Sequence, residues 1–195
     1  MKETLYIIVD VSGSMNEMGK IHLQRNLCRY ATQLQRINQE KYSDVDIRFY
    51  QWTQNVSEII LQDDGDIPAF KAEDSSSLSD LSGFLSQHLK DTGISKVLIL
   101  SDGNLTRDEL DKFIKWKENS KKYLIRTVAV GADSDLLKLK HISTNNTVHL
   151  SENISSAIDS TIFGSDEPLA APVSTAQILQ SAPAETEEPE EDWDA

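Results

Sequence analysis

The chain has 195 residues, a net charge of −13 and one cysteine. That length suits one α/β domain with an appendage. No long apolar window offers a membrane span, and a lone cysteine excludes an intrachain disulfide. Nine acidic and no basic residues lie from Asp166 onward, which leaves −4 for the rest of the chain. Neither part offers the basic patch that nucleic acid or an anionic membrane requires.

The first stretch, "MKETLYIIVD", has a short apolar run that ends in an acid and lacks a small-residue cleavage site. It reads as a strand and not as a signal peptide. With the single Cys28, it leads to the expectation of a reducing, cytoplasmic setting. "GKIHLQRNLCRYATQLQRI" places Leu23, Leu27, Tyr30, Ala31 and Leu34 at helical spacing. "VDIRFYQW" alternates, with Val45, Ile47 and Phe49 on one face, and "TQN" before "VSEIIL" predicts a hairpin. "DLSGFLSQHLKD" puts Leu81, Phe84, Leu85 and Leu89 on one helix face. "KVLILSDG" is a second buried strand, and "TRDELDKFIKWKE" opens with Thr106 and Glu109 at capping-box spacing. A strand ("LIRTVAVG"), a short helix ("DLLKLKHI"), a strand ("TVHL") and a helix ("ISSAIDSTIF") follow.

This alternation predicts a doubly wound, mostly parallel six-stranded sheet with one antiparallel edge strand, a Rossmann-like α/β fold. The domain boundary falls near Gly164, giving a domain over 1–164 and a tail over 165–195. Four of the five prolines lie in that tail among Ala, Ser, Thr and Glu. Such a composition buries too little apolar surface to offset chain entropy, so a disordered acidic tail is expected. Its two apolar islands, Ile178-Leu179 and Trp193, are candidate docking points for a second partner. A tail carboxylate could also reach the domain's own site, in cis or in a neighbouring copy.

In doubly wound folds, ligands bind at the carboxyl ends of strands where the strand order reverses. Asp10 ends the first strand and Asp102 ends "VLILSD", so both fall at such a crevice. Ser12 and Ser14 follow Asp10 at alternate positions, with Gly13 permitting the turn. Carboxylates and hydroxyls together make an all-oxygen site, which suits a hard cation such as Mg²⁺. Without nitrogen or sulfur ligands, zinc is a poor candidate. A site with two carboxylates and otherwise neutral hydroxyls leaves the cation under-compensated. Such a cation favours an anionic oxygen from outside, such as a partner's carboxylate.

"DVSGS" after an apolar strand resembles the D-x-S-x-S signature of the metal-ion-dependent adhesion site (MIDAS) in von Willebrand factor A-type domains, the group that includes integrin I domains. "LILSDG" resembles their second element. "SLSDLSGFL" resembles the third, a Thr-bearing segment that opens a helix, with Ser79 at the Thr position. The usual glycines are missing there, Ser75, Ser76 and Ser77 crowd the loop, and Ser77 is the main rival to Ser79. The resemblance runs over about residues 4–163. It implies a site of Asp10, Ser12, Ser14, Ser79 and Asp102, holding Mg²⁺ (or Mn²⁺ or Ca²⁺). The serines would coordinate directly, and the aspartates through water or hydrogen bonds. It also implies a module whose cation bridges to an Asp or Glu of a partner protein. Small stand-alone proteins of this type, similar to this chain, occur in bacterial gene clusters with ATPases or with kinases and phosphatases, including tellurite-resistance systems.

An enzyme is the alternative. A strand-end aspartate could be a phosphorylated nucleophile, as in Mg²⁺-dependent phosphatases. Those need a second acid two residues on, where this chain has Ser12, and a lysine near the phosphate, which no strand end supplies. No GxxxxGK[ST] loop and no G-x-S-x-G setting is present. The expectation is a non-enzymatic scaffold or regulator in a cytoplasmic complex. An adaptor working mainly through its tail is a further alternative.

Overall fold

The computed structural model describes residues 2–89, 93–120 and 122–164. In β1 (Glu3–Asp10), Leu5, Ile7 and Val9 enter one apolar core while Tyr6 and Ile8 enter a second. A strand buried on both faces belongs in the middle of a parallel sheet. β1 lies there, parallel to β2 (Val45–Trp52) on one side and β4 (Ser95–Ser101) on the other. β3 (Val56–Glu58) pairs antiparallel with β2 at one edge. β5 (Tyr123–Ala129) and β6 (Val148–Leu150) extend the other side in parallel. The order is β3-β2-β1-β4-β5-β6, the expected six-stranded sheet with one antiparallel edge strand.

Helices close both faces. The core under Leu5, Ile7 and Val9 is completed by Leu27, Cys28 and Ala31 of α1 (Lys20–Ile37) and by Ala157, Ile158 and Ile162 of α5 (Ile154–Ile162). The other core takes Leu81 and Leu85 of α2 (Leu78–His88), Phe113 of α3 (Arg107–Asn119), and Leu139 and Ile142 of α4 (Leu136–Ile142). Among the described residues, no helix is long and apolar enough to cross a membrane.

Two local expectations need correction. The buried stripe of α1 is Ile21, Gln24, Leu27, Cys28 and Ala31, while Tyr30 is exposed and Leu23 and Leu34 pack only partly against the core. The small side chains of Cys28 and Ala31 face the sheet, which turns the bulkier Tyr30 outward. At α3, Thr106 caps no backbone N–H; its hydroxyl instead donates to Glu109 at 3.4 Å. The tail from 165 to 195, with Ile178, Leu179 and Trp193, lies outside the described residues.

Candidate metal site

β1 and β4 are neighbours at the point where the strand order reverses, so their carboxyl ends open onto one crevice. Asp10 is the last residue of β1 and is 1% exposed. Its Oδ1 accepts from the Ser12 backbone N–H at 3.0 Å, and its Oδ2 accepts from the Ser101 hydroxyl at 2.6 Å. Ser101 Oγ in turn accepts from the Gly103 N–H at 3.0 Å, which ties the two strand ends together. Burial pushes the Asp10 carboxyl up to about 6. The Ser101 and Ser12 hydrogen bonds work against that rise, and the charge of Asp102 adds to it.

Past Asp10 the chain leaves the sheet, and Ser12 Oγ and Ser14 Oγ come to 3.3 Å of each other. Ser12 is buried and Ser14 half-buried, so the pair stands at the mouth of the crevice. Two oxygens at right angles on a cation with bonds of ~2.1 Å are about 3 Å apart, close to this spacing.

Asp102 follows β4 and is also buried. Its Oδ1 accepts from the Asn104 N–H at 3.0 Å, and its Oδ2 accepts from Lys20 Nζ at 2.8 Å. Lys20 opens α1 with its side chain 2% exposed, and its Nζ also donates to Asp133 Oδ2 at 2.8 Å. Burial pulls the lysine pKa down, but the hydrogen bonds and charges of Asp102 and Asp133 outweigh this and hold it above its ordinary value. The Lys20 hydrogen bond holds Asp133 below the usual carboxylate range.

The third loop lies directly on the first. Glu73 N–H donates to Val11 O at 2.9 Å and Gly13 N–H to Asp74 O at 2.8 Å. Ser77 N–H donates to Thr53 O at 2.9 Å, and the buried Trp52 indole donates to Ser77 O at 2.8 Å. Three of the four serines named for this loop, Ser76, Ser77 and Ser79, are thereby separated in role. Ser79 is exposed on the first turn of α2. Ser77 is the N-cap, its hydroxyl accepting from the Asp80 N–H at 3.2 Å. Ser76 is 7% exposed, and its hydroxyl is buried with no hydrogen-bond partner. A buried polar atom without a partner costs free energy unless something else satisfies it.

The donor set fits a hard divalent cation. Every oxygen of Asp10 and Asp102 already accepts a hydrogen bond, while Ser12 and Ser14 offer neutral hydroxyls beside them and Ser76 a buried, unpartnered one in the third loop. No group of three or more His, Cys, Asp or Glu among the described residues could hold a metal, so a cation here depends on those hydroxyls. Sequence reasoning did not single out Ser101, Lys20 or Asp133, and named Ser76 only among the serines crowding the third loop. A polar residue closing the apolar run of β4 was a signal for Ser101. A lysine in the first turn of a helix, where the macrodipole disfavours a cation, was a signal for Lys20.

Other reactive or aromatic side chains lie within the helices and strands. Cys28 is buried, which pushes its thiol pKa up. Trp116 stacks on Tyr123 with centroids 5.1 Å apart and donates to Ser86. His22, His88, His141 and His149 fall on α1, α2, α4 and β6, and His149 Nε2 meets Ser160 Oγ at 2.9 Å.

No known protein family matches the sequence, and no curated protein does. Solved structures do match in three dimensions. Proximal thread matrix protein 1 of the mussel byssus superposes with a TM-score of 0.55 at 11% identity, over 83% of this chain and 45% of that one. The same protein has been solved with a zinc-occupied MIDAS motif. A von Willebrand factor type A protein from Catenulispora acidiphila gives 0.53 at 12% identity, over 80% of this chain and 40% of that one. The manganese-loaded TRAP protein of Plasmodium vivax gives 0.54 at 14% identity, over 83% of this chain and 73% of that one. The chain spans less than half the length of the mussel and Catenulispora proteins. With this sheet order and these matches, the chain has the von Willebrand factor A-type fold.

Proposed function

We propose that this chain is a metal-dependent protein-interaction module of a cytoplasmic complex, in which a divalent cation joins the domain to an Asp or Glu carboxylate of a partner. Ser12, Ser14 and Ser76 would hold the cation directly, with Asp10 and Asp102 acting through water or hydrogen bonds. Ser76 takes the third-loop role expected of Ser79 because its hydroxyl is the buried one left without a partner. Zinc in the mussel protein and manganese in TRAP support a divalent cation. The hard oxygen donors here favour Mg²⁺, Mn²⁺ or Ca²⁺. When bound, the cation supplies one position for an outside anionic oxygen.

One observation carries the reading: each carboxylate oxygen of Asp10 and Asp102 already accepts a hydrogen bond from this chain, while Ser12 and Ser14 bring uncharged hydroxyls to 3.3 Å of each other. The direct ligands are then neutral, and a doubly charged ion held by neutral oxygens attracts an anion from solution. The same commitment argues against catalysis. Both Asp10 oxygens accept hydrogen bonds from this chain, which lowers their nucleophilicity toward a phosphate. The structure does bring a lysine to the crevice from α1, and Lys20 is bound to two carboxylates there. The tail islands Ile178-Leu179 and Trp193 would serve a second partner.

The test is calorimetric titration of Mn²⁺ into the wild type and Asp10→Ala, with an Mg²⁺-dependent pull-down alongside. The wild type should bind one Mn²⁺ and release its partner on addition of chelator. Asp10→Ala should keep the circular dichroism of the fold and lose both. Partner binding that is equal with chelator present would sink the bridging reading. Hydrolysis of p-nitrophenyl phosphate that depends on Mg²⁺ and Asp10 would replace it with an enzymatic one.

A further inference from the structure

Lys20 is placed where several preferences of the chain oppose it. It is the first residue of α1, where the helix dipole repels a cation, and no acid in the first turn of α1 offsets it. Its side chain is 2% exposed, and an unpaired buried ammonium is costly. The chain is nevertheless built around it. Gly131, just after β5, has φ +100°, and a Cβ there would lie 2.6 Å from Lys20 Cδ and 2.8 Å from Asp133 Oδ1. The lysine stem fills space that only a glycine leaves open, and its ammonium meets carboxylates from two different loops at 2.8 Å each.

We propose that Lys20 is a resident counter-cation of the metal site, a positioning residue that acts through Asp102 to decide how much positive charge a bound divalent ion retains. This inference rests on the bridging reading given above. With Asp10 and Asp102 both ionised and Lys20 absent, the site would carry two negative charges and neutralise a divalent ion within the domain. Lys20 cancels one of them, and the charge of its other partner, Asp133, faces solvent and is screened by water, so it offsets this only in part. The loaded site keeps a net positive charge and selects an anionic group over a neutral one. Charges at such distances interact strongly where water is excluded, so metal affinity is lower and carboxylate affinity higher than the two aspartates alone would give. Asp133, 43% exposed, fixes the ammonium from the solvent side.

The experiment titrates Mn²⁺ alone, and then acetate as the carboxylate probe, into purified full-length protein. In wild type, acetate should bind the Mn²⁺-loaded protein and not the chelated one. Lys20→Met should bind Mn²⁺ tighter by on the order of tenfold and bind acetate more weakly by a similar factor. If Lys20→Met folds only with metal present, the same charge argument is supported, because metal then compensates the exposed need of Asp102. A second pair avoids that dependence. Asp102→Asn should lose Mn²⁺ affinity, and Lys20→Met added to Asp102→Asn should recover it toward wild type, since the two changes together leave the site charge unaltered. Lys20→Met variants that bind Mn²⁺ no tighter than their parents overturn the inference and leave the bridging reading standing. A wild type that binds no Mn²⁺ overturns both.

Discussion

Asp10 and Asp102 end adjacent strands and are both buried, yet the chain treats them differently. Asp10 is held by neutral donors alone, a hydroxyl and a backbone N–H, and burial raises its pKa to about 6. Asp102 is held by one backbone N–H and by the Lys20 ammonium. The Asp10 side is therefore a set of dipoles that lacks a positive charge. The Asp102 side already has one, fixed by Asp133 and by the glycine at 131. A divalent cation would complete the first side and be resisted by the second. That asymmetry leaves the ion held but not neutralised, which is what a bridging ion requires.

The comparison can be broken first at its glycines. Gly131→Ala forces a side chain into a left-handed backbone and onto the Lys20 stem. It should cost about 1–3 kcal/mol of unfolding free energy, read by urea denaturation. Gly13→Ala, on the other side, meets only Asp74 O at 3.2 Å and has no positive φ. It should cost less than about 1 kcal/mol, within the range of ordinary surface-loop changes. Equal losses would mean that the ionic side is no more tightly built than the hydroxyl side.

The next effect in size separates Ser76, Ser77 and Ser79 of the third loop. Ser77→Ala removes the N-cap of α2 and should cost about 0.5–2 kcal/mol, with Mn²⁺ affinity little changed. Ser76→Ala deletes a buried hydroxyl that has no partner. Without metal it should be neutral or stabilising by up to about 1 kcal/mol, while Mn²⁺ affinity falls by about tenfold or more. Ser79→Ala should change neither quantity. Calorimetry beside urea unfolding reads all three, and loss of metal affinity in Ser79→Ala alone would return the ligand role to Ser79.

Those serines also show what the sequence could and could not tell. The continuous apolar runs of β1 and β4 identify strands buried on both faces, and local chemistry makes Asp10, Ser12, Ser14 and Asp102 candidates at their ends. The phase of the third loop is not local. The resemblance puts Ser79 at the Thr position and Ser77 as its rival, but where each hydroxyl points depends on the start of α2 at Leu78, and there Ser77 is fixed by Thr53 O and the Trp52 indole. Those partners lie 24 and 25 residues away, beyond any periodicity. The partners of Lys20 were hidden for the same reason: Asp102 and Asp133 are 82 and 113 residues distant.

The smallest expected effect lies behind the hydroxyl side. The third loop is tethered to α1 through Asp66, which accepts from Arg29 and from Arg25, while Arg25 also donates to Ile67 O at 2.9 Å. The Arg29 hydrogen bond in particular lowers the Asp66 carboxyl from its ordinary 3.8 to about 2. A carboxylate depressed in the folded state stabilises it fully above the unfolded value and loses that contribution as pH falls through the folded one. Wild type and Asp66→Asn should therefore differ in melting temperature at pH 5 and converge between about pH 4 and 2. The ion pair is partly exposed, so the gap should be small and shrink with added salt. Because the tether holds the segment leading to Ser76, Asp66→Asn should also weaken Mn²⁺ binding slightly at neutral pH while leaving the Lys20 side untouched. A change in Mn²⁺ affinity as large as that of Ser76→Ala would mean that the hydroxyl side is positioned from the far end of the loop, and not by its contacts with residues 11–13.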